Sequence, residues 1–156
     1  METHKKRREL TPEQVQQIKD GFQIQRVIMK DSETQQVYWD SISENITQDI
    51  IDITLDPKII ISKAATRSIQ FATKEKLQDL ILVQDAYLHG NKIEHFVFKF
   101  GFVMPDTVNN WDSTIVNRPP EQMLPKEIQS GNLVIDIQMF EQDHLIFNVK
   151  VRIFYS

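Results

Sequence analysis

Two polar residues interrupt the apolar faces of alternating segments, and their side chains are suited to recognising a ligand. Arg67 lies in phase with the apolar residues of segment 65–71, and Gln84 lies in phase with those of segment 80–88. An unpaired buried charge is costly, so Arg67 needs a partner or an opening to solvent. The two residues either make a structural contact, at the rim of the sheets or in an internal ion pair, or place hydrogen-bond donors at the mouth of an apolar cavity. The pattern alone favours the structural explanation.

Residue types used in catalysis are present without the spacing that catalysis requires. The four histidines are scattered, and none has the spacing of a helical metal pair. The four glycines stand alone, so no phosphate-binding loop is indicated, and no Gly-x-Ser-x-Gly motif occurs. Glu94 and His95 are adjacent on a predicted strand and therefore point to opposite faces. We predict a protein that is not an enzyme and uses no cofactor or metal. An enzyme whose acid and base come from distant strands is the less favoured alternative.

Length, charge and composition predict one soluble domain. The 156 residues suffice for a core without disulfides, and the absence of cysteine fits a reducing, cytoplasmic location. No apolar run approaches the roughly 20 residues of a membrane span. Residues 5–8 are all basic and residue 2 is acidic, so residues 1–8 carry +3 and the remainder carries −7 in a chain of net charge −4. Such an acidic body argues against nucleic-acid binding.

The N-terminal region combines a basic tail with a helix. Residues 1–10 are predicted to form a disordered tail, followed by a single domain over residues 11–156. A nuclear or phospholipid-binding signal is the alternative interpretation of the basic run. Thr11 as N-cap, Pro12 at the first helical position and Gln14 three residues after the cap predict a short helix that ends near Gly21.

The rest of the chain alternates as β-strands do. The apolar phase slips between Ile24 and Val27, as a β-bulge would cause. Strands are predicted at 22–29, 37–39, 51–55, from residue 59, and at 65–71, 80–88, 96–104, 132–139 and 145–155. A helical turn is predicted from Thr73 to Asp79, and residues 105–131 are predicted to be a long connection containing one short helix between Pro125 and Gly131.

Eight or nine short strands predict an all-β sandwich. The Phe, Met, Ile, Leu and Val residues of its inner faces can form either a filled core or a deformable pocket. The pattern alone cannot separate the two and favours the filled core.

Several long motifs carry a resemblance to a known family. They are Phe100-Gly101-Phe102-Val103-Met104-Pro105, Asn110-Trp111, Gln122-Met123-Leu124-Pro125 and Val149-Lys150-Val151-Arg152-Ile153-Phe154-Tyr155, with Gly21-Phe22, Lys30-Asp31, Glu33-Thr34, Trp39 and Arg67 in matching order upstream. In these residues the chain resembles the prenyl-binding protein delta family, also known as the delta subunit of rod cyclic-GMP phosphodiesterase. The resemblance extends from Gly21 onward.

The resemblance implies an immunoglobulin-like β-sandwich that opens to hold a farnesyl or geranylgeranyl group between its sheets. It implies a monomeric, cytoplasmic carrier that extracts prenylated cargo, such as Ras-, Rab- and Rho-type small GTPases, from membranes without an anchor of its own. Arf-like GTPases in their GTP state are the implied release factors, at cilia or vesicles. Two alternatives stay open: a myristoyl-binding carrier of the same fold, and an interaction module with a filled core that binds no lipid.

The resemblance also implies roles for individual residues. Arg67 and Gln84 match a polar pair that contacts the lipidated end of the cargo, which reverses the structural preference stated above. Tyr155 matches a tyrosine near the cavity, and Glu94 matches an acidic residue at the entrance, where it senses the cargo peptide. The positions that match the apolar lining are Ile24, Met29, Ile59, Ile69, Phe96, Ile115, Met123, Leu124, Ile135, Met139, Val151 and Ile153.

Four positions depart from the family. Phe96 stands where relatives carry Trp, Ser62 stands where they carry Cys, and Ala86 and Gln129 replace larger apolar residues. Smaller side chains predict a larger pocket that favours the longer geranylgeranyl chain. The N-terminal helix with its basic run is longer than in the family.

Overall fold

The computed structural model describes residues 9–42 and 50–156. Most of the predicted basic tail, residues 1–8, lies outside the described residues. The helices are α1 (Pro12–Gly21), α2 (Lys58–Ile61) and α3 (Lys126–Gln129), with a 3-10 turn at Pro120–Gln122. The strands are β1 (Phe22–Asp31), β2 (Val37–Ile42), β3 (Ile50–Leu55), β4 (Ala64–Thr73), β5 (Leu77–Leu88), β6 (Asn91–Val103), β7 (Thr107–Val116), β8 (Leu133–Glu141) and β9 (His144–Tyr155).

The strands form two sheets, which confirms the predicted all-β sandwich with a short N-terminal helix. One sheet has the order β2-β1-β4-β7, and the other has the order β3-β9-β8-β5-β6. Neighbouring strands are antiparallel except β3 and β9, which are parallel. Each sheet turns its apolar face toward the other, as period-two alternation requires. Within the described residues, no helix has the length and apolar character needed to cross a membrane.

The predicted start of α1 is confirmed in detail. The Gln14 backbone N–H donates to Thr11 Oγ1 over 3.2 Å, and the Thr11 N–H donates to Gln14 Oε1 over 2.8 Å. This capping box satisfies two amide groups that the first helical turn leaves without partners. Ile18 is buried and joins the core, so α1 packs against one end of the sandwich.

The phase slip in β1 is a bulge, as predicted. The pairing of β1 with β4 shifts between Ile24 and Arg26, so Ile24 and Val27 both face the other sheet although they are three residues apart. The short helix predicted between Pro125 and Gly131 is also present, as α3.

Three predicted elements were wrong. Residues 59–61 form α2 and not a strand, because Asp56 Oδ1 accepts the Lys58 N–H over 2.9 Å and starts a helical turn. No helix follows Thr73, since its hydroxyl donates to the Glu75 carbonyl and β5 already begins at Leu77, which is fully buried. The predicted long connection 105–131 contains β7, a complete edge strand that pairs with all of β4.

The core has two parts. At the α1 end, Phe71 is fully buried, with its ring 5.3 Å from that of Phe100 and 6.4 Å from that of Trp111, both edge-on. At the opposite end, a second cluster surrounds Val149 and Val151. Most of the residues that line the cavity described below belong to the second cluster or pack against it.

A polar network closes the cavity end of the fold around Asp31. Its Oδ1 accepts the N–H groups of Glu33 and Thr34 over 2.8 and 2.9 Å. Its Oδ2 accepts the hydroxyls of Ser62 and Tyr38 over 2.7 and 3.1 Å. The hydrogen bond from Thr34, followed by that from Ser62, holds the pKa of Asp31 well below its ordinary value. The network joins β1, β2 and the residue after α2.

This lowered pKa predicts a loss of stability in acid. The folded state favours the charged carboxylate, so its contribution is complete above the unfolded pKa of about 4 and is lost as the pH falls toward the folded pKa. Asp31→Asn is expected to unfold at a lower temperature than the wild type at neutral pH, with a smaller difference at about pH 3. Thermal unfolding followed by circular dichroism across this range tests it, with Asp112→Asn, exposed on β7, as the control. A constant difference at every pH would contradict the assignment.

Candidate functional site

A cavity of about 90 Å³ lies between the two sheets. Every strand except β6 contributes to its wall. Of the lining residues only Arg67 and Gln84 are polar; the full set is Val27, Met29, Trp39, Ile53, Leu55, Arg67, Gln84, Ile115, Ile135, Ile137, Val151 and Ile153. The wall is therefore apolar, with one polar pair set into it.

Strand register explains how these side chains meet. Met29 of β1 pairs with Arg67 of β4, and Ile135 of β8 pairs with Val151 of β9. Residues in register on adjacent strands project from the same face of a sheet, so the first pair faces the second across the gap between sheets. Gln84 projects from β5 in the opposite sheet to Arg67.

Arg67 is a buried cation with incomplete hydrogen bonding. It is 4% exposed, and its Nη1 donates to Gln84 Oε1. Its guanidinium carbon lies 5.0 Å from the centre of the Phe98 ring. Its Nε and Nη2 are buried and have no hydrogen-bond partner, and no carboxylate of the described chain pairs with it. The internal ion pair considered for Arg67 is thus not found in residues 9–42 and 50–156.

Burial determines the electrostatics of this pair. Loss of solvent lowers the pKa of Arg67 to about 10, so the side chain stays protonated at neutral pH. Gln84 and the face of Phe98 offset only part of the cost of burying the charge. The two nitrogens without a partner, Nε and Nη2, suit an acceptor oxygen, such as an ester carbonyl or a carboxylate, at the end of an apolar chain.

The structure brings seven of the predicted site residues together in the cavity wall: Met29, Arg67, Gln84, Ile115, Ile135, Val151 and Ile153. Four others lie in the core and not in this wall. Ile24, Ile69 and Met139 belong to the cluster at the α1 end, and Ile59, the buried residue of α2, belongs to the other cluster. These four residues are packed against side chains of the protein.

The remaining predicted residues lie around the cavity end of the fold. Glu94 and Phe96 are half-buried on the inner face of β6, and the Phe96 ring lies 6.2 Å from that of Phe98. Met123 and Leu124 belong to the connection between β7 and β8, where Leu124 is 37% exposed. None of these four lines the cavity.

Tyr155 holds that connection in place. It packs on the core at the cavity end, and its hydroxyl donates to Gln129 Oε1 over 3.1 Å. The Gln129 amide donates to the Leu124 carbonyl over 2.6 Å. Burial raises the pKa of Tyr155 to about 12, so the phenol stays protonated and keeps this bond at neutral pH.

Sequence reasoning missed five lining residues: Val27, Trp39, Ile53, Leu55 and Ile137. Alternation already indicated Val27, since it is in phase with Met29 after the bulge. Ile53 and Leu55 were placed on a strand but not at the cavity, because nothing local shows that β3 runs parallel beside β9.

The described residues nowhere bring together three His, Cys, Asp or Glu side chains able to hold a metal ion. Among the residues that line the cavity, the polar groups are those of Arg67 and Gln84.

A family model matches most of the chain. The family model for the GMP-PDE delta subunit matches residues 16–155, which run from the middle of α1 to the last residue of β9. At the family level this match supports a prenyl-binding carrier and describes a binding subunit, not a catalytic one. The chain belongs to the GMP-PDE delta subunit family.

Proposed function

We propose that this protein is a non-enzymatic carrier that holds the prenyl tail of lipidated proteins between its two sheets. The observation that carries the proposal is the buried Arg67, whose Nε and Nη2 have no partner in an otherwise apolar cavity. A prenyl tail is bonded to the sulfur of a cysteine, and the carbonyl group of that cysteine supplies the missing acceptor at the polar end of the apolar chain. Family membership supports the same ligand class.

The residues divide into three roles in this proposal. The apolar wall takes the tail, and Arg67 with Gln84 binds the polar end. Glu94, on the inner face of β6 and without an ion-pair partner in the described chain, contacts the cargo peptide beyond the lipid. Because the tail is the same in every cargo, selectivity among cargo proteins arises from such contacts at the entrance.

Binding requires the sheets to separate. The cavity of about 90 Å³ is well below the roughly 300 Å³ at the small end of ordinary ligand pockets. Among the described strands, no ladder of hydrogen bonds joins the two sheets, so they can part along their inner faces without breaking strand pairing. Unbranched Met29 can also change rotamer at low cost. The carrier thus opens around its ligand.

Release needs a second partner. Burying a prenyl tail contributes on the order of 10 kcal/mol at about 0.8 kcal/mol per carbon, and a bilayer offers a similar amount. A protein that binds the closed carrier more tightly than the open, loaded one drives release of the tail, because it shifts the equilibrium by its differential affinity for the two states. We assign this role to a GTP-loaded Arf-like GTPase, with Ras-, Rab- and Rho-type GTPases as cargo and a cytoplasmic location that extends to cilia and vesicles.

Fluorescence polarisation tests the ligand class. A labelled farnesyl-cysteine methyl ester peptide is expected to bind, and its unlipidated and myristoylated counterparts are expected to bind at least about tenfold more weakly. A geranylgeranyl peptide is expected to bind more tightly than the farnesyl peptide, because Ala86 is small and lies in the core at the cavity end. Preference for the myristoyl peptide would make the protein an acyl carrier, and binding of none would leave an interaction module with a filled core.

A further inference from the structure

The cavity extends in one direction from its polar pair. Residues 91–103 of β6 contribute nothing to its wall on one side, where the Phe98 ring lies against the Arg67 guanidinium. Toward α1, the next inward residue of β5 after Gln84 is Leu82, which is fully buried in the packed core. The other lining residues of the five-stranded sheet belong to β8, β9 and β3. A chain whose polar end is bound by Arg67 and Gln84 therefore runs from β5 toward β3.

Strand register gives the length of this path. Gln84 of β5 is level with Val149 of β9, because each pairs with the same residue of β8. Leu55 of β3 pairs with Tyr155, which lies six residues beyond Val149 on β9. Three strand spacings of about 4.8 Å across the sheet and six residues of about 3.4 Å along it place Leu55 about 25 Å from Gln84. Ile53 is two residues nearer, so it lies about 20 Å from Gln84.

Leu55 is held in place at the far end of the path. It is buried, it lines the cavity, and its carbonyl accepts the Ser156 N–H over 3.2 Å. On the opposite sheet, Trp39 of β2 lines the same cavity. Among the described strands, β2 and β3 are each at one edge of their sheets, and the two are in contact. The path from the polar pair therefore ends between these two strands.

The length of a prenylated cysteine can be compared with this path. Four bonds separate the cysteine carbonyl from the first carbon of the tail, and each isoprene unit adds four more along the chain. Four carbon–carbon bonds of about 1.5 Å span about 5 Å when extended. From the carbonyl, the three units of a farnesyl chain thus reach about 20 Å, and the four units of a geranylgeranyl chain reach about 25 Å. The first length matches the position of Ile53, and the second matches that of Leu55.

We propose that Leu55 determines which chain length is preferred, because it contacts the fourth isoprene unit of a geranylgeranyl chain and a farnesyl chain does not reach it. The inference rests on the proposed carrier function and adds an orientation of the ligand. The cargo peptide leaves on the side of β6, where Glu94 lies, and the tail ends at β3, on the opposite edge of the same sheet. Contact with Leu55 buries carbons that the shorter chain lacks, so it favours the longer chain.

Photoaffinity labelling of the unchanged, full-length protein tests the path. Farnesyl-cysteine and geranylgeranyl-cysteine methyl ester peptides, each with a diazirine on the last isoprene unit, are bound and irradiated, and the labelled residues are identified by mass spectrometry. We expect the geranylgeranyl probe to label Leu55, and the farnesyl probe to label Ile53 or Ile153, which pair with each other. A geranylgeranyl label at Leu80 or Leu82, toward α1, would overturn the orientation while leaving the carrier function in place.

Leu55→Phe tests the residue itself, because its ring fills the end of the path. By fluorescence polarisation, it is expected to lower the affinity for the geranylgeranyl peptide at least about tenfold more than that for the farnesyl peptide. The matched control is Ile51→Phe, on the same face of β3 but outside the cavity wall, which is expected to leave the ratio of the two affinities unchanged. Equal ratios in the two variants would overturn the role of Leu55. A wild type that binds neither peptide overturns the carrier function and this inference with it.

Discussion

Replacing Arg67 and Gln84 together by methionine is expected to stabilise the protein while lowering its affinity for a farnesylated peptide about 10- to 100-fold. The pair buries a cation with two unpartnered donors, and replacing buried charged groups by apolar ones of similar size is often neutral or stabilising by about 1–4 kcal/mol. A hydrogen bond from a charged group contributes about 1.5–3 kcal/mol, which corresponds to the expected loss of affinity. Urea unfolding and fluorescence polarisation measure the two effects.

The control is Arg26→Met. Arg26 is exposed and makes a salt bridge of 2.6 Å with Asp40, so its replacement is expected to change stability by less than about 1 kcal/mol and to leave peptide affinity unchanged. A double variant of Arg67 and Gln84 that is clearly less stable than the wild type would restore the structural explanation of the pair. Unchanged affinity would show that the polar end of the ligand is bound elsewhere.

Filling the cavity is expected to abolish lipid binding without unfolding the protein. Val151 is 7% exposed and lines the cavity in the interior of its sheet, so the larger ring of Val151→Phe enters space that the tail needs. We expect the affinity for the farnesylated peptide to fall more than about 100-fold, because the lost transfer energy is about 0.8 kcal/mol for each carbon excluded. Thermal unfolding is expected to change little, since the cavity of about 90 Å³ accommodates the added atoms.

Val149→Phe separates filling from overpacking. Val149 lies two residues away on the same face of β9, is 4% exposed and packs in the core without lining the cavity. The same substitution there is expected to cost about 1–3 kcal/mol, because no space receives the ring. If Val151→Phe destabilises the protein as much as Val149→Phe does, the cavity is not deformable in the way that the carrier function requires.

The site could be predicted in part because polar residues in an apolar phase are visible in a sequence. Arg67 and Gln84 broke the alternation of two strands, and the structure places both in the cavity wall. Alternation did not show that they contact each other, because it gives the face of a strand and not the strand opposite. Alternation also did not show that Nε and Nη2 of Arg67 lack a hydrogen-bond partner, because this depends on all the side chains that surround the guanidinium group.

The missed elements also have physical reasons. The sequence does not reveal β7 because only Trp111 and Ser113 are buried in it, and an edge strand shows little apolar alternation. Three consecutive isoleucines favour a strand at α2. The hydrogen bond from the Lys58 N–H to Asp56 and those from Asn117 favour a helical turn instead. At both β7 and α2, tertiary contacts override the secondary-structure preference of the local sequence.

The parallel pairing of β3 with β9 affects how the protein is made. Asp52 and Arg152 form a salt bridge of 2.8 Å although they are 100 residues apart in the chain. Among the described strands, β9 is the only one that pairs with β3. At about 5–20 residues per second, a ribosome needs about 5–20 seconds to add the partner strand after β3 has been synthesised. The apolar side chains of β3 stay unsheltered for that time, which is long enough for chaperones to bind them. The cavity, which residues of β3 and β9 both line, is complete only after β9 has been synthesised.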